Sequence, residues 1–220
     1  MSPLLTLLVM KVVFTQFFGR NTPFYTTYLF SGNLVMSFFK ESTRGGMNSL
    51  MSNAKIFTKV NVPKYLFIFS RNVSALVNFL IILVVYFFFC ALDDITFGFH
   101  MLSLLYPILC LLAFNLGIGM ILSAMYVFFR DTKYLYDVFL TLLTYLSAIF
   151  YRIDGYSPMA QRLFLLNPVF CYIKYFRLVV IDGKIPSLAF HLLCALYAIA
   201  ALGIGFFVYK KNNHKFLYYV

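Results

Sequence analysis

The fold of this chain is decided by one stretch, residues 66–92, with the sequence LFIFSRNVSALVNFLIILVVYFFFCAL. Arg71 is its one charged residue, and Asp93 and Asp94 follow its end. A helix needs about 20 mostly apolar residues to cross a bilayer, and this stretch is long enough. The sequence therefore predicts a membrane-spanning helix here.

The composition extends this conclusion to the whole chain. Of 220 residues, 62% are apolar and 11% are charged, and the mean hydropathy is +0.86. A soluble domain has about a quarter charged residues, and a disordered chain has far less apolar surface, so both classes are excluded. We predict an all-α integral membrane protein with one domain, residues 1–220.

Apolar runs and their polar interruptions predict six spans. These are residues 3–18, 24–39, 66–92, 101–128, 135–151 and 188–208. Between the last two lies a segment, 152–187, that is too polar to span simply and too apolar to be a solvated loop. Pro158 and Pro168 each open a short run there, and Asn167 separates the runs, as expected for two short interfacial or re-entrant helices.

A polar segment, residues 40–65, interrupts the spans. After Gly45 and Gly46, apolar residues recur at helical spacing, which predicts a short amphipathic helix; they are Met47, Leu50, Met51 and Ala54. Two interpretations remain open. The helix either contacts a partner protein or lies on the lipid surface with Lys55 and Lys59 near anionic headgroups.

The distribution of Lys and Arg predicts the orientation. Eleven fall on one side of the six spans: Lys40, Arg44, Lys55, Lys59, Lys64, Arg71, Arg130, Lys133, Lys210, Lys211 and Lys215. Six fall on the other side: Arg20, Arg152, Arg162, Lys174, Arg177 and Lys184. The positive-inside rule places the first group in the cytoplasm, together with the segment 40–65 and the C-terminus.

Several kinds of site are not indicated by the sequence. The net charge of +11 is scattered between apolar runs, so a nucleic-acid site is not predicted. The four cysteines and three histidines are dispersed, so we expect no metal site. The phosphate-binding motif GxxxxGK[ST] is also absent, so whatever energy this protein uses must come from elsewhere.

An ordered set of motifs resembles a known family. It comprises Asn53-Ala54-Lys55 with Lys59 and Val62-Pro63, then Phe128-Phe129-Arg130-Asp131, Ile149-Phe150-Tyr151, Leu166-Asn167-Pro168 and Arg177. The chain resembles ABC type-2 exporter permeases, and within them the branch that exports lipid-linked polysaccharides such as O-antigen, capsule and teichoic acid.

The chain also departs from that family pattern. It has no Trp, Val62 precedes Pro63 where Phe is usual, and Ala148 stands where proline is usual. It begins almost inside its first predicted span, whereas the family usually carries an amphipathic helix before that span.

The resemblance implies a permease subunit that is not itself an enzyme and sits in the bacterial cytoplasmic (inner) membrane. Its implied partners are a second copy of itself, an ATP-binding subunit that holds ATP and Mg, membrane lipids and a lipid-linked glycan. The residues implied to couple to the ATP-binding subunit are Met47, Leu50, Met51, Ala54, Lys55 and Lys59. The outer gate would include Pro158, Asn167 and Pro168.

The resemblance further implies a substrate path that includes Arg130, Tyr145, Phe150, Tyr151 and Arg177. Arg130 would contact the lipid pyrophosphate, since Arg binds phosphate oxygens in bidentate geometry; alternatively, it only holds a helix end among lipid headgroups. Aromatic residues of 134–151 and 164–176 suit the C–H faces of sugars, but packing and lipid contact are the ordinary roles of such residues.

Other functional classes stay open at this stage. One alternative is an ABC exporter of a small molecule or a lipid. A polytopic glycosyl or acyl transferase would need convergent acids, and the outer segment offers only Asp154 and Asp182 without a clear base partner. A secondary transporter would show internal repeats and charges at mid-membrane, and neither is visible apart from Lys11.

Overall fold

The computed structural model describes residues 24–57, 59–60, 62–153 and 155–219, and every regular element in these ranges is helical. The predicted first span, 3–18, lies outside the described residues. The α-helices are α1 (Tyr25–Ser52), α2 (Ala54–Phe57), α3 (Tyr65–Leu92), α4 (Leu105–Phe128), α5 (Thr132–Leu146), α6 (Pro158–Phe164), α7 (Pro168–Val180), α8 (Leu188–Asn212) and α9 (Phe216–Tyr219). A 3-10 helix, Phe99–Leu104, leads directly into α4.

Three described helices are long and apolar enough to cross a membrane: α3, α4 with its 3-10 extension, and α8. The bent pair α6 and α7 would make a fourth if it counts as one span. Helix α1 has 28 residues but is more polar, and α5 has only 15 residues. The chain is therefore a multi-helix membrane protein, and the predicted count of six spans is not confirmed.

The predicted break at Gly45 and Gly46 is wrong, because α1 continues through both residues to Ser52. A Cβ atom on Gly46 would lie 2.9 Å from Cα of Gly119 in α4, so this glycine lets two helix backbones meet. A helix that keeps its backbone hydrogen bonds is not ended by glycine, and in a membrane that requirement is strict. The segment after Gly46 is thus the end of α1 and not a separate amphipathic helix.

Glycines also bring α4 against α8. The run Gly117-Ile118-Gly119 predicts close helix packing, although not the partner helix. A Cβ atom on Gly117 would lie 2.3 Å from the carbonyl carbon of Ala201, and one on Gly205 would lie 2.4 Å from the carbonyl oxygen of Gly117. Contact this close excludes any side chain on either glycine. The α4–α8 pair therefore forms a tightly packed part of the bundle.

Buried polar groups connect the central helices. The Ser42 hydroxyl of α1 donates to the Asn72 side-chain oxygen of α3 at 2.7 Å, and the Asn72 amide donates to the Leu112 carbonyl of α4 at 3.0 Å. Ser42 and Asn72, both buried, thereby have hydrogen-bond partners, as a low-dielectric interior demands. Helix α1 lies at the centre of this arrangement, with 19 of its residues buried.

Helices α6 and α7 meet at an angle of 108°. The Leu165 carbonyl at this bend accepts a hydrogen bond from the Tyr197 hydroxyl of α8 at 2.9 Å. Tyr197 lies nine residues after the start of α8 at Leu188, so the bend lies about 14 Å along that helix. A bent pair of this kind is either a broken span or a re-entrant loop.

Candidate functional site

Arg177 of α7 forms the most extensive polar network in the described part of the chain. Its side chain is buried, and its Nη1 atom donates to the Tyr28 hydroxyl at 2.7 Å and to the Ala148 carbonyl at 2.9 Å. Nη2 donates to the carbonyls of Ile149 at 3.2 Å and Tyr28 at 3.4 Å, and Nε donates to the Ser31 hydroxyl at 3.3 Å. All five N–H groups of the guanidinium are therefore used to join α7, α1 and the turn after α5.

The turn that receives Arg177 has an unusual backbone. Ala148 has a φ of 48°, in the left-handed region, and its side chain is fully buried. This conformation is disfavoured for a residue with a Cβ atom, so surrounding contacts must hold it. The Tyr28 hydroxyl provides one such contact by donating to the Tyr151 carbonyl at 2.8 Å.

The structure brings together the three predicted aromatic residues of the substrate path. The Tyr151 hydroxyl donates to the Tyr145 carbonyl at 2.9 Å, and the rings of Tyr145 and Phe150 lie 6.1 Å apart. The Tyr145 side chain is 61% exposed, while Phe150 and Tyr151 are half-buried. Together these three residues form an aromatic surface at the end of α5.

Other aromatic residues for which a sugar contact was considered are part of the protein interior. Phe170, Tyr172, Tyr175 and Phe176 of α7 are each at most 2% exposed. The Tyr172 hydroxyl donates to the Cys194 carbonyl of α8 at 2.9 Å. In this subunit their ordinary role, packing and hydrogen bonding between helices, accounts for their positions.

The predicted gate residues begin the helices as expected. Pro158 is in the first turn of α6, after Ser157, whose hydroxyl accepts from the Ala160 amide. The Asn167 side-chain oxygen accepts from the amides of Val169 and Phe170 at 3.0 and 3.3 Å, and Pro168 follows in the first turn of α7.

Asn167 also connects α7 to the end of α5. Its side-chain amide donates to the Ser147 hydroxyl at 3.0 Å and to the Leu146 carbonyl at 3.3 Å. The bend between α6 and α7 is therefore attached to the helix that carries Tyr145.

Arg130 lies apart from the other predicted path residues, near the opposite ends of the helices. Its Nη2 atom donates to the Tyr219 carbonyl of α9 at 3.3 Å. Nearby, the Lys64 ammonium donates to the Asn213 carbonyl at 2.9 Å, and partial burial lowers the pKa of Lys64. We call this end of the bundle the Lys64 end and the other the Arg177 end.

The predicted coupling residues divide into two groups. Met47 and Leu50 are 1% and 0% exposed, and Leu50 packs in a cluster with Ile68 of α3 and Met120 of α4. Met51 and Ala54 are half-buried, whereas Lys55 and Lys59 are exposed. Lys55 and Lys59 are thus the accessible part of the set.

Sequence reasoning missed the partners of Arg177. Tyr28 and Ser31 are three residues apart in α1, so they share one helix face, and both carry a hydroxyl group. That spacing could have indicated a polar partner inside the bundle. Among the described residues, no group of three or more His, Cys, Asp or Glu could hold a metal.

Comparison with known proteins identifies relatives along almost the whole chain, although no family model matches it. An O-antigen export system permease protein RfbA of Myxococcus xanthus is 22% identical over 222 residues, which cover 98% of this chain and 84% of that protein. Two proteins of the same name from Klebsiella pneumoniae are 23% and 24% identical, over 98% of this chain and 83% of each. These relatives confirm the resemblance of this chain to the ABC type-2 exporter permeases of polysaccharide export.

Proposed function

We propose that this chain is the permease subunit of an ATP-driven exporter that moves a lipid-linked polysaccharide of the O-antigen, capsule or teichoic acid type outward across the bacterial cytoplasmic membrane. The observation that carries the proposal is the similarity, over 98% of the chain, to proteins named O-antigen export system permeases. A separate ATP-binding subunit holds ATP and Mg, and the present chain moves in response to it.

The proposed orientation places the Lys64 end in the cytoplasm. The helix ends that meet there carry or adjoin a set of basic residues, namely Lys55, Lys59, Lys64, Arg130, Lys133, Lys210, Lys211 and Lys215. Such an accumulation at one end agrees with the positive-inside rule. The bent pair α6–α7 and Arg177 then belong to the outer half and form the outer gate.

A single cysteine in a background without the four native ones tests this orientation. At Lys55 or Lys211 it should react with a membrane-impermeant thiol reagent only after permeabilisation, because both side chains are exposed at the Lys64 end. At Lys184, exposed in the loop before α8, it should react in intact cells. The reverse pattern would contradict the orientation.

Coupling to the ATP-binding subunit is proposed for the surface formed by Lys55 and Lys59, which directly follows Met51 at the end of α1 and Ala54 at the start of α2. A rigid helix attached to a motor can transmit its closure to the rest of the bundle. Helix α1 meets this need because its 28 residues run without a break from the Arg177 end to the coupling surface. Met47 and Leu50 then act from the interior by fixing the direction of α1.

Two copies are proposed to enclose the substrate path, with α5 contributing the aromatic surface of Tyr145, Phe150 and Tyr151. The outward face of α5 carries large exposed side chains, namely Tyr134, Leu135, Val138, Leu142, Tyr145 and Leu146. A polymer must advance through many weak contacts, and aromatic rings provide these for sugars without a fixed sequence.

The test of the proposal measures cargo and partner together. Deletion of the gene should deplete glycan at the cell surface and enlarge the intracellular lipid-linked pool, and a tagged chain should co-purify an ATPase. Replacement of both Lys55 and Lys59 by Glu should reduce that co-purification, whereas Lys184→Glu should not. If deletion instead abolished the export of a small molecule while surface polysaccharide stayed normal, the result would favour an ABC exporter of a small molecule.

A further inference from the structure

Helix α5 is attached to α1 by two polar contacts between consecutive residues. The Tyr136 hydroxyl donates to the Thr43 hydroxyl at 2.6 Å, and both side chains are buried. Next to it, Nε of Arg44 donates to a carboxylate oxygen of Asp137 at 2.9 Å, and Nη2 of Arg44 lies 2.7 Å from the same oxygen. One contact thus lies inside the bundle, and the other lies at its surface, where both side chains of the ion pair are nearly half-exposed.

The two contacts together define the position of α5 on α1 more strictly than either would alone. An exposed ion pair contributes little to stability, so stability does not explain why it lies beside a buried hydrogen bond. Consecutive residues of a helix point about 100° apart around its axis. Helix α5 therefore cannot roll or slide along α1 without breaking at least one of the two contacts.

The same turn of α1 is joined to two further helices. Ser42 donates to Asn72 of α3, and Asn72 donates in turn to a carbonyl of α4. The Asn78 amide of α3 donates to the Glu41 carboxylate. Each of the four residues 41–44 thus has a polar contact with a neighbouring helix. A displacement of this one turn acts on α3, α4 and α5 together.

The other end of α5 is attached to the bend between α6 and α7. The Asn167 amide donates to the Ser147 hydroxyl directly after α5 at 3.0 Å. Ser147 follows Asp137 by ten residues, which is about 15 Å of helix. Three residues of α5 are buried in this subunit, in a narrow stripe. Helix α5 is therefore held by polar contacts towards both ends and has little buried surface between them.

We propose that α5 transmits a displacement of α1 to the bend between α6 and α7, and that the contacts of Tyr136 and Asp137 make α5 follow α1. The positioning residues are Thr43, Arg44, Tyr136 and Asp137. This inference rests on the proposed function, because the ATP-binding subunit supplies the displacement of α1. Packed helices that are joined by specific contacts shift as units, so the movement of one is passed to the next.

The inference has a consequence for the aromatic surface. Tyr145 lies at the end of α5 that is attached to the bend, so a displacement of α5 moves its exposed ring together with the bend. The surface that contacts the polymer and the outer gate then change position in the same step. The attachment of α5 to α1 thereby determines how much polymer moves for each ATP that is hydrolysed.

A reversible cross-link tests whether α1 and α5 must stay joined. In a background without the four native cysteines, Tyr136→Phe, Arg44→Cys and Asp137→Cys together remove both contacts and place two thiols where the ion pair was. Inverted membrane vesicles that contain this variant and its ATP-binding subunit are assayed for ATP hydrolysis and for uptake of polymer labelled with a radioactive sugar. Polymer moved per ATP hydrolysed should fall about threefold or more, because hydrolysis continues while α5 no longer follows α1.

A short, reducible bifunctional thiol reagent should restore this ratio, and reduction of the cross-link should lower it again. Mass spectrometry verifies that the cross-link has formed. The same sample is measured before and after cross-linking, so a folding defect cannot produce the recovery. In a second pair of measurements, Arg44→Asp combined with Asp137→Arg should keep the ratio of the unaltered chain, whereas Arg44→Asp alone should lower it. Arg71→Gln, at an exposed position of α3 beside the same turn of α1, is the matched control and should leave the ratio unchanged.

Three results would overturn the proposal. A normal ratio without the cross-link would mean that α5 does not need these contacts. A ratio that stays low after cross-linking would mean that their loss is not the cause. Arrest of transport by the cross-link would mean that α5 must separate from α1. Failure of the proposed function is a distinct result, since the unaltered chain itself would then take up no polymer, and it would overturn both proposals.

Discussion

Helices α1 and α5 lie side by side, but they use their surfaces in different ways. In α1, 19 of 28 residues are buried, whereas in α5 the buried residues are Thr132, Tyr136 and Leu140, in one stripe at intervals of four. Helix α1 is less apolar than a usual membrane span, although it lies at the centre of the bundle. Helix α5 instead exposes large apolar side chains. A helix enclosed by its own subunit can carry polar groups, while an exposed helix must present apolar groups to lipid or to another chain.

The largest expected effect is at the Arg177 end of α1. Arg177→Met should destabilise the chain by more than about 3 kcal/mol, because the buried carbonyls of Ala148 and Ile149 lose their donors and the Tyr28 hydroxyl loses a partner. Unfolding by SDS in mixed micelles measures this. Arg162→Met, at an exposed position, is the control, and an equal loss in both variants would contradict a structural role for the network.

The next effect distinguishes two adjacent glycines of α1. Gly46→Ala should cost about 1–3 kcal/mol, because its Cβ atom would push against the Gly119 backbone. Gly45→Ala should be neutral or stabilising by up to about 1 kcal/mol, because its Cβ atom would meet only the Arg71 side chain at 3.4 Å and alanine favours helix. Equal effects in the SDS assay would argue against the close α1–α4 contact.

A smaller effect is expected where α5 is attached to α1. The Tyr136 hydroxyl donates to the Thr43 hydroxyl at 2.6 Å, and both side chains are buried. Tyr136→Phe removes this hydrogen bond with little change of shape and should cost about 1 kcal/mol of unfolding free energy. Phe139→Leu, at a half-exposed position of the same helix, should cost less.

The smallest effect on stability should come with a loss of function. Tyr145→Ala at an exposed position should change the unfolding free energy by no more than about 0.5 kcal/mol. Combined with Tyr151→Ala, it should lower surface glycan relative to the intracellular pool while membrane insertion stays normal. Phe88→Ala, similarly exposed on α3, is the control, and normal export from the double variant would remove the two tyrosines from the path.

Features with a local cause could be predicted from the sequence. The sequence predicts the helix starts at Pro158 and Pro168, on either side of Asn167, because a proline acts on its own first turn. The end of α3 at Leu92 followed from the charges after it. The spacing of Gly117 and Gly119 likewise indicated close helix packing, although not the partners.

Features that depend on distant residues could not be predicted in this way. Glycine has a low helix propensity, so the sequence predicts a break at Gly46. Only its contact with the Gly119 backbone shows why a glycine lies inside a continuous helix. The helical spacing of Leu50 predicts a place on the apolar face of an amphipathic helix, but Ile68 and Met120 pack over its side chain. Arg177 is implied as a path residue by resemblance, but its five hydrogen bonds depend on residues more than 25 positions away in sequence.

The left-handed backbone at Ala148 has an evolutionary consequence. Proline, usual at this position in the family that the chain resembles, fixes φ near −65° and cannot adopt the observed 48°. A homologue with proline here must turn its chain along another path, and its carbonyls must meet the arginine from a different direction. We therefore expect the lineage nearest to this chain to carry alanine, glycine or asparagine at this position. The residue type there would then distinguish two backbone conformations of the turn that accepts hydrogen bonds from the arginine.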